Sequence, residues 1–495
     1  MSEQIRALIV ILFLAVLGFS VSKKLTYPTI SSVDFKRWRN TWFLVVISAF
    51  LASNYWLFLV LSFIFITLFT KQEKNKMALF YILVFAIPPI QKNILGFGVV
   101  NYLFTMDYIR FIVLIILLPV ALKISKSNNF SFGSIQADKY IAIYIALITF
   151  LVLRGSSVTD MFRTLFYTML EIFLPYYVAS RSINNVRQLN EVLYAFLTTA
   201  IVAAFFSTFE SVKHWLLFNS LPTALDAEFS LSEYLGRGTG LRALASLGHP
   251  IVLGCFTAIA IGFYLYLSTG IQNKTYKRVG ALILIIGLLT PVSRGPWMGA
   301  IILLILYLLQ GPVAFKKLSK LMMVGILAFG ILAITPSGGK FIDLLPFIGK
   351  TEKYNIDYRE QLFHNSLVVI ARNPLFGSID YLNEPEMLEL KQGEGIIDVV
   401  NTYVGITLER GYLGLLLFVS IFASVIFAIR KSMKSITDKR DELHILGRSL
   451  VAVLLTIMFI ISTTSSIASL PVIYWSILGI GVAYTRIIKQ TFAST

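Results

Sequence analysis

The sequence predicts an all-α polytopic integral membrane protein, and three observations carry that prediction. Of 495 residues, 57% are hydrophobic and only 14% charged, with a mean hydropathy of +0.77, values outside the range of a soluble domain. Apolar runs long enough to cross a bilayer, about 20 residues each, recur from one end of the chain to the other. Lys and Arg are spread through the short intervals between these runs, as the positive-inside bias requires. That spread also argues against nucleic-acid binding, the class a net charge of +17 first suggests. The single cysteine, Cys255, lies in an apolar run and permits no disulfide within the chain.

In chain order, the expected spans are 5–21, 42–70, 77–91, 108–123, 139–153, 161–180, 189–209, 249–269, 277–291, 295–311, 319–335, 410–430, 446–464 and 470–488, about 14 transmembrane helices (13–15). The first run, Ile5 to Val21, has no small-residue cleavage site after it and is expected to stay as a helix. The interval 42–70 is long for one span and short for two, with Asn54 at its middle. Five Lys or Arg in 22–41 and three in 71–76 put both its ends on the cytoplasmic side and favour a hairpin. Basic loops at 123–139, 181–187, 270–278, 312–320 and 430–448 then share the cytoplasmic face. The opposite face receives 92–107, 154–160, 210–248, 291–294, 336–409 and 464–470. The expected organisation is therefore N-terminal transmembrane helices over 1–209, an extracytoplasmic loop over 210–248, transmembrane helices over 249–335, a large extracytoplasmic loop over 336–409 and C-terminal helices over 410–495. The sequence contains no detectable internal repeat and no low-complexity tract.

The loop 336–409 holds eleven Asp or Glu against six Lys or Arg, a net −5 in a protein of +17. A solvated acidic cap is one reading; a functional loop is the other. Pro346, Pro374, Gly377, Pro385, Gly393 and Gly395 punctuate it, and Glu360 to Ala371 has the pattern of an amphipathic helix ending before Asn373-Pro374.

Few residues in the chain can carry chemistry. Arg294 stands in Thr290-Pro291-Val292-Ser293-Arg294-Gly295-Pro296-Trp297, a tight break between two apolar runs. It is either a turn whose Arg snorkels to the interface or a fixed guanidinium able to grip phosphate oxygens. A second basic stretch, Gly236 to Pro250, carries Arg237, Arg242 and His249 and lacks the Gly-Lys-Ser/Thr of a nucleotide loop. His249 and His364 are general-base candidates by type, although a His before Pro at a helix start is commonly a cap. Asp398 and Glu409 bracket Asn401 and are candidates to position or deprotonate a hydroxyl. Tyr354, Tyr358, Tyr381 and Tyr403 offer faces for sugar stacking or interfacial anchoring. No His/Cys/Asp cluster has metal-ligand spacing, and no Gly-x-Ser-x-Gly elbow occurs.

Taken in order, Ser293-Arg294-Gly295, Tyr358-Arg359, Asn373-Pro374-Leu375-Phe376-Gly377 and Asn401-x-Tyr403 running to Glu409-x-Gly411-x-x-Gly414 resemble the O-antigen ligase and Wzy-type polymerase family. The likeness is clearest from Arg237 to Gly414. It implies a GT-C-like membrane glycosyltransferase in the bacterial cytoplasmic (inner) membrane, multi-pass, with no metal and no cofactor. The donor would be a polyprenyl-diphosphate-linked glycan and the acceptor a glycan hydroxyl, with chain-length regulators or export proteins as partners and no nucleic acid. By position Arg242, Arg294 and Arg359 would hold the donor diphosphate, and Asn401 would belong to the substrate site. Guanidinium groups suit a leaving diphosphate, which gains negative charge as the glycosidic bond breaks. Family members usually have His-Asn where this chain has Val400-Asn401. That departure favours a polymerase or a divergent exopolysaccharide member over a ligase, with Glu409, Asp398 or His249 aiding the acceptor, or with no strong base at all. Direct inverting displacement is expected, because no paired carboxylates suggest a covalent intermediate. A transporter or flippase, and a non-catalytic envelope assembly protein, are the rivals from other classes.

Overall fold

Helices account for nearly all regular structure, as unbroken apolar runs require: in lipid each backbone donor must find an acceptor within its own segment. The computed structural model describes residues 2–26, 30–98, 100–126, 132–228, 236–237, 240–335, 353–392, 395–467 and 469–493. Pro346, Gly393 and the side chain of Tyr354 lie outside the described residues. Among those described, eight helices are long and apolar enough to cross a membrane: Glu3–Leu25, Tyr108–Lys126, Gln136–Arg154, Val186–Lys213, Pro250–Leu267, Thr402–Met433, Glu442–Ile461 and Leu470–Phe492. The protein is thus a polytopic helical membrane protein, with eight such helices where about 14 spans were expected.

Several expected spans are short or divided, and local chemistry explains the divisions. The interval 42–70 splits at Ala52–Asn54 into helices Ser32–Leu51 and Tyr55–Phe69, where the Asn54 side chain accepts from Leu57 N and starts the second helix. The interval 77–91 contains only the nine-residue helix Lys76–Val84, which ends ahead of Pro88-Pro89. The run 161–180 passes through a π-helical turn at Met169–Phe173. The interval 92–107 is not a plain loop. Its strands Gln91–Leu95 and Tyr102–Asp107 pair antiparallel, and Gln91 also bridges to Glu228.

The described residues fall into two compact units, one from 1–130, 170–297 and 468–495, the other from 131–169 and 298–467. The first is built around helix Val186–Lys213, where Phe196 stacks on Phe256 with ring centroids 4.0 Å apart and meets Tyr81 edge-on at 5.0 Å. Tyr81 is tied in by its hydroxyl to Ser476, at 2.7 Å. Near the start of helix Tyr108–Lys126, the Arg110 guanidinium donates to Glu171 Oε1 at 2.7 Å and to the Thr105 carbonyl.

In the second unit, helix Gln136–Leu151 runs along Thr402–Met433, with Tyr144 against Phe418 at 6.0 Å. Beside them stands a small separate core: Tyr358, Leu362, Val369, Ile370, Met387, Leu390, Val399 and Leu408, with Val400, Val404 and Tyr381 packed on it. Helix Lys353–Arg372 supplies one wall of that core and ends one residue before Asn373-Pro374, as the sequence predicts.

Candidate functional site

The Ser-Arg-Gly break is a built turn. Helix Lys274–Leu289 stops at Thr290, Val292 takes a left-handed backbone (φ 44°), and helix Arg294–Leu309 begins at the arginine itself. The indole of Trp297 reaches back and donates to the Leu288 carbonyl at 2.7 Å, closing the turn on itself. Arg294 therefore stands on the first residue of a helix, at its electropositive end.

Arg242 comes to the same turn. Its Nε donates to the Pro291 carbonyl at 3.2 Å, and the next residue, Ala243, donates its backbone N–H to the Thr290 carbonyl at 3.3 Å. The stretch ahead of it, Gly236–Arg237 and Gly240–Leu241, forms a pair of two-residue antiparallel strands; Gly238 and Thr239 lie outside the described residues. After Arg242 the chain turns through Ala245 (φ 49°) and Gly248 (φ 77°) to His249, the cap of helix Pro250–Leu267.

Sequence reasoning missed the residue that holds this segment. Glu210, fully buried, accepts from Leu217 N at 3.1 Å on one oxygen and from Leu244 N and Ala245 N at 2.9 and 2.8 Å on the other. One carboxylate near the end of a helix thus fixes a loop more than thirty residues away. Ser207, one turn earlier, bonds Thr290 Oγ1 at 2.8 Å, so the same helix end steadies both the loop and the break. The available signal was an acidic residue at the very end of an apolar run, next to the membrane boundary.

His249 Nδ1 accepts from Ile251 N at 3.1 Å. The proton of the neutral ring is then on Nε2. Burial, and secondarily the Arg242 charge, push its pKa down to about 4, so the ring is neutral at physiological pH. In that state it presents a donor.

The second unit gathers another set. The Tyr358 hydroxyl donates to the Asp398 carbonyl at 3.0 Å and accepts from Asp398 N at 3.1 Å, and Arg359 donates to the Thr463 carbonyl at 3.3 Å. Burial raises the Asp398 carboxyl above its usual range, against the opposing pull of a Ser465 hydrogen bond and of Arg359. Asn401 caps helix Thr402–Met433, its side chain accepting from Tyr403 N at 2.9 Å and Val404 N at 3.3 Å. Thr402 donates through both its N–H and its hydroxyl to Thr464 O, and the Tyr403 hydroxyl bonds Met458 O at 2.8 Å.

The two Gly-containing motifs of this unit meet each other. Helix Thr402–Met433 is broken at Gly411 (φ 67°), and the Asn373–Gly377 turn supplies the missing acceptors: Tyr412 N donates to Pro374 O at 2.7 Å and Leu413 N to Leu375 O at 3.2 Å. Arg154 donates to the carbonyls of Gly377 at 2.8 Å, Phe376 at 2.9 Å and Glu409 at 3.4 Å. The Glu409 carboxylate pairs with Arg410 at 3.0 Å, and Arg410 reaches the Tyr144 hydroxyl at 2.7 Å. His364, on helix Lys353–Arg372, lies against Phe363, and Asn365 bonds the Glu386 carbonyl. No group of three or more His, Cys, Asp or Glu among the described residues is placed to hold a metal ion.

The Ser-Arg-Gly turn and most of the second set fall within one stretch of chain. Residues 279–419 match the O-antigen ligase family. The match covers Ser293-Arg294-Gly295, Tyr358-Arg359, the Asn373–Gly377 turn and Asn401 to Gly414, and it supports membership of the O-antigen ligase and polymerase family. No curated protein matches the chain. Arg242, Glu210 and His249 lie upstream of the O-antigen ligase segment, yet Arg242 bonds its backbone at Pro291.

Proposed function

We propose that this protein transfers a polyprenyl-diphosphate-linked glycan onto an acceptor sugar hydroxyl at the outer face of the bacterial cytoplasmic membrane, as a polysaccharide polymerase. The observation that carries the reading is the Arg242 Nε bond to the Pro291 carbonyl, which brings one arginine to the turn that carries another. Two guanidinium groups on a fixed backbone suit a diphosphate whose charge grows as the glycosidic bond breaks, because no reorganisation is needed at the moment of reaction. The family match adds lipid-linked glycan chemistry to that electrostatic argument.

In this mechanism Arg242 and Arg294 hold the departing diphosphate, and the Nε2–H of His249 donates to one of its oxygens. The acceptor hydroxyl loses its proton to a carboxylate general base. The hydroxyl oxygen attacks the anomeric carbon as the bond to phosphate breaks, with inversion. Val400 packs on the apolar core where family members usually carry a histidine, which favours polymerase over ligase.

The test is polymer length on a gel in cells that lack the endogenous gene and carry wild type, Arg242→Ala or Arg294→Ala at equal membrane expression. Loss of long chains with accumulation of single-repeat lipid intermediates is the expected result. Normal polymer from both variants removes the arginine site and reopens transport or assembly.

A further inference from the structure

Helix Glu442–Ile461 begins at Asp441, whose carboxylate caps it through Leu443 N, and ends beside Thr463 and Thr464, which serve Arg359 and Thr402. Near its start, about 20–26 Å from Ile461 at the usual rise per residue, stand His444 and Arg448, which the proposed transfer does not use. They are 7% and 5% exposed, and four residues apart they share one helix face. The Arg448 guanidinium lies over the Tyr307 ring, 4.8 Å from its centroid. Its Nη1 points at Gly311, where a Cβ would overlap it.

Among the described residues, no hydrogen-bond acceptor or carboxylate meets this guanidinium. Its Nε and the Nδ1 of His444 are buried with no hydrogen-bond partner. The nearby acids are engaged locally, Asp441 as the helix cap and Asp438 with Arg440 N at 2.8 Å. A permanent charge in such a place is among the costliest features a fold can hold, and one tyrosine face offsets only part of the cost. A bound anion removes the rest.

We propose that Arg448 and His444, floored by Tyr307 and given room by Gly311, bind a phosphate-type anion. The planar fork of Arg448 matches two phosphate oxygens, and the buried ring nitrogen of His444 adds a third donor. Flanking stretches supply a field of the same sign: Lys316, Lys317 and Lys320 after Gly311, and Lys431, Lys434, Lys439 and Arg440 before the helix. The phosphate belongs either to an anionic lipid headgroup or to a free phosphate species. This site is independent of the glycan-transfer reading.

The experiment uses the purified full chain in phosphatidylcholine nanodiscs, in phosphatidylcholine nanodiscs containing phosphatidylglycerol, and in phosphatidylcholine nanodiscs with sodium phosphate in place of sodium chloride at equal ionic strength. Unfolding is followed by tryptophan fluorescence. Wild type is expected to gain about 2–4 °C in Tm with the source that fits, and Arg448→Gln to lose that gain. A gain confined to phosphatidylglycerol identifies a lipid headgroup, and one in phosphate buffer a free anion. Equal gains in wild type and Arg448→Gln, or none in wild type, overturn the proposal. If Arg448→Gln does not accumulate, His444→Leu is measured in the same arms: a smaller gain supports the site and an unchanged one overturns it.

Discussion

Gly377 and Gly411 each close on the backbone just before the other. A Cβ built on Gly377 would stand 2.6 Å from Arg410 N and overlap the Leu408 carbonyl, and one on Gly411 would overlap the Leu375 carbonyl; both glycines hold positive φ, 65° and 67°. Either glycine replaced by Ala therefore meets a rigid neighbour as well as an unfavourable backbone. Gly411→Ala and Gly377→Ala are each expected to cost about 2–4 kcal/mol, read as a fall in Tm of the purified protein. A variant at either position that unfolds with wild type would show that the two segments do not depend on this approach.

Arg154 is expected to resist replacement by Lys. Its fork reaches three carbonyls, those of Phe376, Gly377 and Glu409, and a single ammonium on a shorter reach cannot serve all three. Arg154→Lys should lower Tm nearly as far as Arg154→Ala. Recovery of most of the loss by Lys would mean that charge alone, without the planar geometry, is enough.

Glu210→Ala leaves three buried N–H groups without an acceptor and should destabilise the first unit by about 3–5 kcal/mol. Glu210→Gln keeps one oxygen and should retain the fold while loosening the loop that carries Arg242. The measurable outcome is protein that accumulates to wild-type level but makes shorter polymer at limiting lipid-linked donor, with the defect reduced at high donor. A defect unchanged by donor concentration would count against positioning through Arg242.

His249 and Asp398 act on stability with opposite pH dependence. The His249 pKa is depressed to about 4 from 6.5, so the unfolded chain takes up a proton that the native one refuses; its contribution is present above 6.5 and is lost as pH falls toward 4. The Asp398 carboxyl is raised above 3.8, so its contribution is present below that value and is lost as pH rises through its folded pKa. Unfolding curves of wild type and His249→Gln should converge as pH drops through that His249 window. For activity, no inflection near 6.5 should vanish with His249→Gln, because the ring is already neutral there.

Val400→His places a polar ring against the apolar cluster that Val399, Leu362 and Met387 help form. It should cost about 1–3 kcal/mol in stability and bring no gain in polymer formation. A gain of function with restored His-Asn would instead indicate that this position faces the substrate.

Hydropathy made much of the architecture legible. A span of apolar residues announces its own helix, and so the runs at 189–209, 249–269, 446–464 and 470–488 each correspond to a described helix within a few residues. Cap chemistry was as local: Asn373-Pro374 ends helix Lys353–Arg372, and His249 before Pro250 starts the next span. The count of spans was less legible, since Asn54 and the π-helical turn at Met169–Phe173 divide runs that composition alone leaves continuous.

By itself the sequence determined a helical membrane protein with arginines at a tight break and a long polar interval rich in acids, because transfer energies and backbone propensities act over neighbouring residues. Tertiary structure decided what those residues touch. Only packing brings Arg242 to Pro291, sets Glu210 under Leu244 and Ala245, spends the Asn401 side chain on its own helix and drives the Asn373–Gly377 turn into the gap at Gly411. Each of those contacts satisfies a backbone or charged group from a distant segment, and no pattern of neighbouring residues specifies where such a partner will lie.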